Sequence, residues 1–122
     1  MDTPKIFESE YRFCEILWEN EPISSSALVK LCSEQLEWKK STTYTVIKRL
    51  TERGVVKSEN AIVTSLVSRE EVQARESAEI VEKNFDGFLP AFIAAFTSRK
   101  NLSRQEIEEI QGIIDQYKEH GK

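Results

Sequence analysis

Between Trp38 and Lys57 the chain carries Lys39, Lys40, Ser41, Thr42, Thr45, Lys48 and Arg49, hydroxyls and cations that recur at the three- and four-residue spacing of one helix face. Side chains of these types recognise a polyanion rather than break bonds. Lys and Arg neutralise phosphates, hydroxyls reach phosphates or base edges, a Thr methyl meets a thymine methyl, and Arg bridges guanine O6 and N7. The 38–57 window holds six basic side chains (Lys39, Lys40, Lys48, Arg49, Arg53, Lys57) against one acidic, Glu52, a local charge of +5 in a chain whose formal net charge is −4. The acidity lies elsewhere: residues 1–22 hold six acidic against two basic groups, and residues 68–122 hold eleven against eight. A net negative total therefore does not exclude a nucleic-acid partner, because the sign asymmetry concentrates positive charge on one segment.

Bond-making chemistry has little to work with. The one histidine, His120, stands near the C-terminus, and the two cysteines, Cys14 and Cys32, sit inside apolar helical patterns, with no CxxC or HxxxH pair. Two buried thiols are expected rather than a disulfide. No zinc ligand set can be assembled from the spacing, and no nucleophile, base and orienting group can be proposed together. The sequence predicts no catalytic residue, no metal, no cofactor and no enzyme.

The elements that must position the basic face follow from the apolar periodicity. Tyr11, Cys14, Leu17 and Trp18, with Phe7 one turn earlier, predict a helix over residues 8–20. After the break at Pro22, Ser24 caps a second helix with Leu28, Leu31 and Cys32 inward and Ile23 stapled on Leu28, ending near Leu36. A third helix from about Ser41 turns Val46, Ile47 and Leu50 inward, opposite Ser41, Thr42, Thr45, Lys48, Arg49 and Glu52, and Gly54 supplies its left-handed cap. The period then approaches two, and the Val, Ile and Thr residues on either side of Glu59-Asn60 predict a short hairpin. Three helices and a hairpin are the element order of a winged helix-turn-helix.

The remainder reads as helix. Ser68-Arg69-Glu70-Glu71 and Ser103-Arg104-Gln105-Glu106 are capping boxes, and Asp86-Gly87 separates two helices, with Pro90 placed in a first turn. Phe85, Phe88, Phe92 and Phe96 are four of the six phenylalanines, and Ile107, Ile110, Ile114 and Tyr117 follow a 3-4-3 pattern suited to a partner helix. So short a chain cannot bury these groups alone, and a homodimer interface through Phe88, Phe92, Phe96, Ile107, Ile110, Ile114 and Tyr117 is expected. The expected fold class is mainly α with a small β-hairpin: a winged-helix DNA-binding domain over residues 1–68 and a helical dimerisation region over 69–122.

With 122 residues, 39% hydrophobic and 31% charged, the chain fits a folded domain rather than a disordered or membrane-spanning one. No apolar stretch reaches spanning length and no secretory signal is evident, so a cytoplasmic location without membrane insertion is expected.

The string Trp38-Lys39-Lys40-Ser41-Thr42-Thr43-Tyr44-Thr45-Val46-Ile47-Lys48-Arg49-Leu50-Thr51-Glu52-Arg53-Gly54 resembles the penicillinase-repressor family, the bacterial β-lactamase, methicillin-resistance and copper-responsive repressors. Glu15-Ile16-Leu17-Trp18, Ser68-Arg69-Glu70-Glu71 and Leu102-Ser103 with Glu106-Ile107 extend the likeness over nearly the whole chain. The resemblance implies a homodimeric repressor with an N-terminal winged helix and a three-helix C-terminal arm, covering an inverted-repeat operator in double-stranded DNA. Carried over, base contacts fall on Ser41, Thr42, Thr45 and Arg49 and phosphate contacts on Lys39, Lys40 and Lys48, with Lys57 and Asn60 of the hairpin completing the DNA-binding set. Three departures stand out. The hairpin is short, with Val63 where an aromatic is common, so the wing is expected to add little affinity. The C-terminus lacks the cysteine-rich motif of the copper-responsive branch. In the β-lactam branch induction cuts the arm at an Asn-Phe bond and involves a membrane-bound sensor protease, and the matching place here reads Ala95-Phe96. A winged-helix protein-interaction module, docking its basic face on an acidic partner, is the alternative.

Overall fold

A computed structural model describes residues 3–120 and divides the chain into two compact units, one through Glu79 and one from Ile80 onward. The first unit contains α1 (Glu8–Asn20), β1 (Ile23–Ser24), α2 (Ser25–Leu36), α3 (Lys40–Glu52), β2 (Val56–Glu59), β3 (Ile62–Ser65) and the start of α4 (Arg69–Phe85). The second contains the end of α4, then α5 (Leu89–Thr97) and α6 (Arg104–His120).

The first unit is a winged helix built on one core. Phe13, Cys14 and Leu17 of α1, Leu28 and Cys32 of α2, Leu50 of α3, Val55, Val56 and Val63 around the sheet, and Val72 of α4 are all essentially inaccessible to solvent. Burial of a side chain of the Val, Leu or Phe type contributes roughly 1.5–3 kcal/mol, so this cluster is the main source of the unit's stability. The buried set differs from the expected stripe on α1. Phe13 and Ile16 are inside and Phe7 is exposed, because α1 meets α2 on one flank and β3 on the other, and two packing partners widen the face that must be apolar.

The sheet also exceeds the expected hairpin. β3 is central, paired antiparallel to β2 on one side and to the two-residue β1 on the other, with Ile23 opposite Val63 and Ser24 opposite Ile62. Asn60 and Ala61, rather than Glu59-Asn60, form the hairpin's two-residue connection, and both are left-handed, at φ 53° and 63°. Positive φ at both residues is the type I′ geometry, whose twist matches the right-handed twist of the flanking strands. Ser24 accepts a hydrogen bond from the Ala27 N–H (3.1 Å), which starts α2 where its spacing predicts.

In the second unit, left-handed Asp86 and Gly87 end α4, Pro90 sits in the first turn of α5, and α6 opens on reciprocal hydrogen bonds between Ser103 and Glu106. Phe85 meets Phe92 edge to face at 5.6 Å, and Phe92 lies 6.2 Å from Phe96. Neither α5 nor α6 has a buried residue, and Phe88, Leu89, Phe96, Ile107, Ile113, Ile114 and Tyr117 are all exposed. Among the described residues no helix is long and apolar enough to cross a membrane.

Candidate nucleic-acid interface

The basic face is set by what holds α3 from below and at both ends. Thr43, Val46, Ile47 and Leu50 are buried, and their spacing fixes the rotation of the helix. Its start is fixed by the turn from α2. Glu37 adopts a left-handed conformation (φ 59°), and its N–H and that of Trp38 return to the Ser33 and Cys32 carbonyls, which reverses the chain within three residues. The Trp38 ring then stacks on the buried Phe13 ring, 6.1 Å between centroids and 6° from parallel.

At the other end, Arg53 closes α3 against α1. Its guanidinium donates two hydrogen bonds to the Glu10 carboxylate, one of 3.1 Å to Oε2 and a shorter one to Oε1, and a third of 2.8 Å to the Lys5 carbonyl. Glu10, only 5% exposed, also accepts the Phe7 N–H at 3.0 Å. Burial opposes ionisation of this carboxyl, but the Arg53 hydrogen bonds, the Phe7 N–H and the charges of Arg53 and Arg49 outweigh it and hold Glu10 below the ordinary glutamate range. The same pairing raises Arg53. A cation so bound is removed from any nucleic-acid contact, although the sequence counts it within the basic window.

Held in this way, α3 presents Lys40, Ser41, Thr42, Thr45, Lys48 and Arg49 to solvent together, with Lys39 at its N-cap. Among the described residues, Lys39, Lys40, Lys48 and Arg49 form no ion pair, and the hydroxyls of Ser41, Thr42 and Thr45 make no hydrogen bond. Their donors and acceptors are therefore available to a ligand. The hairpin places Lys57 and Asn60 at its exposed edge and tip, and Lys57 sits 3.5 Å from Glu59, which offsets its charge. The tip is also tied down, since the Ala61 carbonyl accepts the Ser25 N–H at 2.8 Å.

The sequence reading overlooked Tyr44. It is 39% exposed, and its hydroxyl approaches the Ser25 hydroxyl at the start of α2 (3.5 Å), so it borders the basic face on the α2 side. Its position one turn before Lys48 is the signal that would have found it. The cysteines take no part in the face: both are free and buried, and burial, reinforced by the Glu10 charge, pushes the Cys14 thiol up to about 12. Burial also raises Cys32, with the neighbouring Thr43 hydroxyl opposing part of the rise. Among the described residues no group of three His, Cys, Asp or Glu side chains could hold a metal ion. The seven apolar residues expected to form a dimer interface all lie in α5 and α6 or just before them. Phe92 is partly covered, and the other six are exposed.

Comparison with known proteins matches residues 6–116 to the penicillinase repressor family model. The methicillin resistance regulatory protein MecI of Staphylococcus aureus is 27% identical over 117 residues, covering 93% of this chain and 95% of that protein. The penicillinase repressor of Bacillus licheniformis is 21% identical over 123 residues, covering 98% and 96%. Among solved structures, the DNA binding domain of the repressor BlaI matches with a TM-score of 0.50, and the monomeric form of Bacillus licheniformis BlaI in complex with the blaP half-operator with 0.51. Each is 21% identical and covers 58% of this chain and 93% of the other, and the likeness shows the winged-helix fold.

Proposed function

The chain belongs to the penicillinase repressor family, and we propose that it is a transcriptional repressor that binds an inverted-repeat operator in double-stranded DNA as a homodimer. One observation carries the reading: α3 is sealed on one face by Thr43, Val46, Ile47 and Leu50 and presents unpaired cations and hydroxyls on the other. In the major groove, Ser41, Thr42, Thr45 and Arg49 contact base edges, while Lys39, Lys40 and Lys48 hold phosphates. Lys57 and Asn60 add a peripheral backbone contact from the wing. The half-operator complex of the Bacillus licheniformis relative supports DNA as the ligand.

The functional division falls into a winged helix over residues 1–68 and a dimerisation arm over 69–122. Dimerisation covers Phe88, Phe92, Phe96, Ile107, Ile110, Ile114 and Tyr117, and it joins two weakly cationic reading heads into one tight binder by raising the effective concentration of the second. Release is signal-dependent, with a membrane-bound sensor protease as the partner that acts on the arm. The bond at the matching place, Ala95-Phe96, lies within α5, so cutting there requires α5 to unwind.

Fluorescence anisotropy against the DNA upstream of the chain's own gene, compared with random DNA of equal length, tests the reading. Salt-dependent binding that prefers the upstream sequence is the expected result, and equal binding to both probes at micromolar protein would refute it. Lys48→Ala should weaken binding to both probes, whereas Thr45→Ala should weaken only the specific complex, by roughly 1–3 kcal/mol.

A further inference from the structure

Glu52 is the one acid in the basic 38–57 window, and no contact within the fold accounts for it. It is the last residue of α3 and is exposed, and among the described residues it makes no hydrogen bond or ion pair, although Lys48 stands one turn before it. A carboxylate at a helix C-terminus is opposed by the unsatisfied carbonyls there, so Glu52 weakens the helix that carries it. A local rule broken without a compensating contact points to function. The direction of the side chain is settled by the buried stripe. At about 100° per residue, Ser41, Thr45, Lys48 and Glu52 fall along one line, across the helix from the buried Thr43, Val46, Ile47 and Leu50. Glu52 therefore projects from the same side as the groups that meet DNA.

The two ends of α3 differ in free charge. Lys39 and Lys40 stand unpaired at the N-terminal end. At the other end Arg53 is bound to the buried Glu10, so the terminal pair Glu52-Arg53 presents a free carboxylate and no free cation. At 1.5 Å per residue Glu52 lies roughly 17 Å along the helix from Ser41, whereas the major groove is about 12 Å wide. A helix that enters the groove by its N-terminal turns keeps Glu52 clear of the backbone at its far end. A helix that lies along the backbone instead brings the carboxylate against phosphates. One such like-charge contact at about 5 Å in water corresponds to about a fourfold loss of affinity. We infer that Glu52 is a specificity-determining residue: it penalises sequence-independent contact of α3 with the phosphate backbone and spares the complex seated by the N-terminal end. The basic face thus carries its own brake on nonspecific binding.

The inference rests on the DNA-binding reading proposed above, and one set of titrations separates the two. The full chain, Glu52→Gln and Glu52→Ala are titrated by anisotropy with the upstream DNA and with random DNA of equal length. Both variants should bind random DNA about threefold to tenfold tighter and the upstream DNA within about twofold of the parent, so the preference falls. Agreement between Gln and Ala ties the gain to the lost charge rather than to a new amide contact. The salt dependence on random DNA should steepen by up to about 0.9 in slope, the effect of one more phosphate neutralised. The urea midpoint followed by tryptophan fluorescence should be equal or higher, because nothing then opposes the helix dipole at that end; a lower midpoint would assign Glu52 to the fold instead. Glu70→Gln removes an exposed carboxylate from α4 and makes the same change in net charge outside α3, and it should leave both affinities within about twofold. An unchanged preference in both Glu52 variants, or an equal gain from Glu70→Gln, would overturn the role of Glu52 alone. A parent with no preference for the upstream DNA would overturn the reading on which that role rests.

Discussion

Replacing Glu10 by Gln removes one charge and little volume from the junction that closes α3 on α1, and the cost can be worked from the contacts there. The carboxylate is 5% exposed and accepts three hydrogen bonds, two from a guanidinium and one from a backbone N–H. Breaking a buried ion pair by neutralising one partner costs about 3–5 kcal/mol when both groups are fully desolvated. The Arg53 side chain is 33% exposed, so water re-solvates part of its charge and the cost falls to about 2–3 kcal/mol. For a unit of this size that corresponds to a fall of roughly 10–20 °C in Tm. Both tryptophans, Trp18 and Trp38, lie in the first unit, so urea titration followed by tryptophan fluorescence reads this unit directly. The pH dependence supplies a second check. Glu10 is held below its unfolded-state pKa, so its stabilising contribution is complete above the unfolded value and is lost as pH falls through the folded one. The gap between parent and Glu10→Gln should be full at pH 7 and should shrink below about pH 4. A gap under about 0.5 kcal/mol at pH 7, or one of equal size at pH 7 and pH 3, would refute the assignment of an ionised, stabilising Glu10.

Three further outcomes follow from other parts of the molecule. Ala61→Gly should stabilise the first unit by about 0.5–1 kcal/mol in the same urea titration, because Ala61 sits at φ 63° and a left-handed alanine costs about 1–2 kcal/mol against a smaller entropic cost for glycine; a loss of stability would show that the turn tolerates its Cβ. Cys14 should resist a thiol-directed reagent at pH 8 and react only at the rate of unfolding, since a thiol at about 12 is ionised in roughly one molecule in ten thousand; fast labelling of the native chain would contradict its burial. Ile110→Asp should shift the sedimentation mass from dimer to monomer at micromolar concentration while leaving the tryptophan-reported stability of the first unit within about 0.5 kcal/mol, and an unchanged mass would remove Ile110 from the interface.

Where the sequence was legible, the cause was local. Ser24, Ser68 and Ser103 announce helix starts by side-chain chemistry confined to four residues, and α3's inner face follows from the spacing of Val46, Ile47 and Leu50. The exposed reach of Lys39 to Arg49 follows from that same spacing, because the residues opposite a buried stripe must face water. What escaped was non-local. β1 is two residues long and exists only because β3, some forty residues later, pairs with it. Glu10 and Arg53 are separated by 43 positions, and each alone reads as an ordinary surface charge. Phe13 and Ile16 fall off the narrow stripe of α1 and become core because two elements pack on that helix.

The placement of the three strands bears on self-association. A sheet in the order β1-β3-β2 has two open edges, and an open edge is a template on which another chain can add a strand. One edge here is only two residues long and runs straight into α2. The other, β2, is four residues long and bears Lys57 and Glu59, charges that disfavour edge-to-edge stacking. The sheet is therefore guarded against cross-strand aggregation in a molecule whose α5 and α6 carry an exposed apolar surface, so that backbone-edge pairing, an indiscriminate mode of joining, is disfavoured against side-chain contacts, which depend on complementary shape.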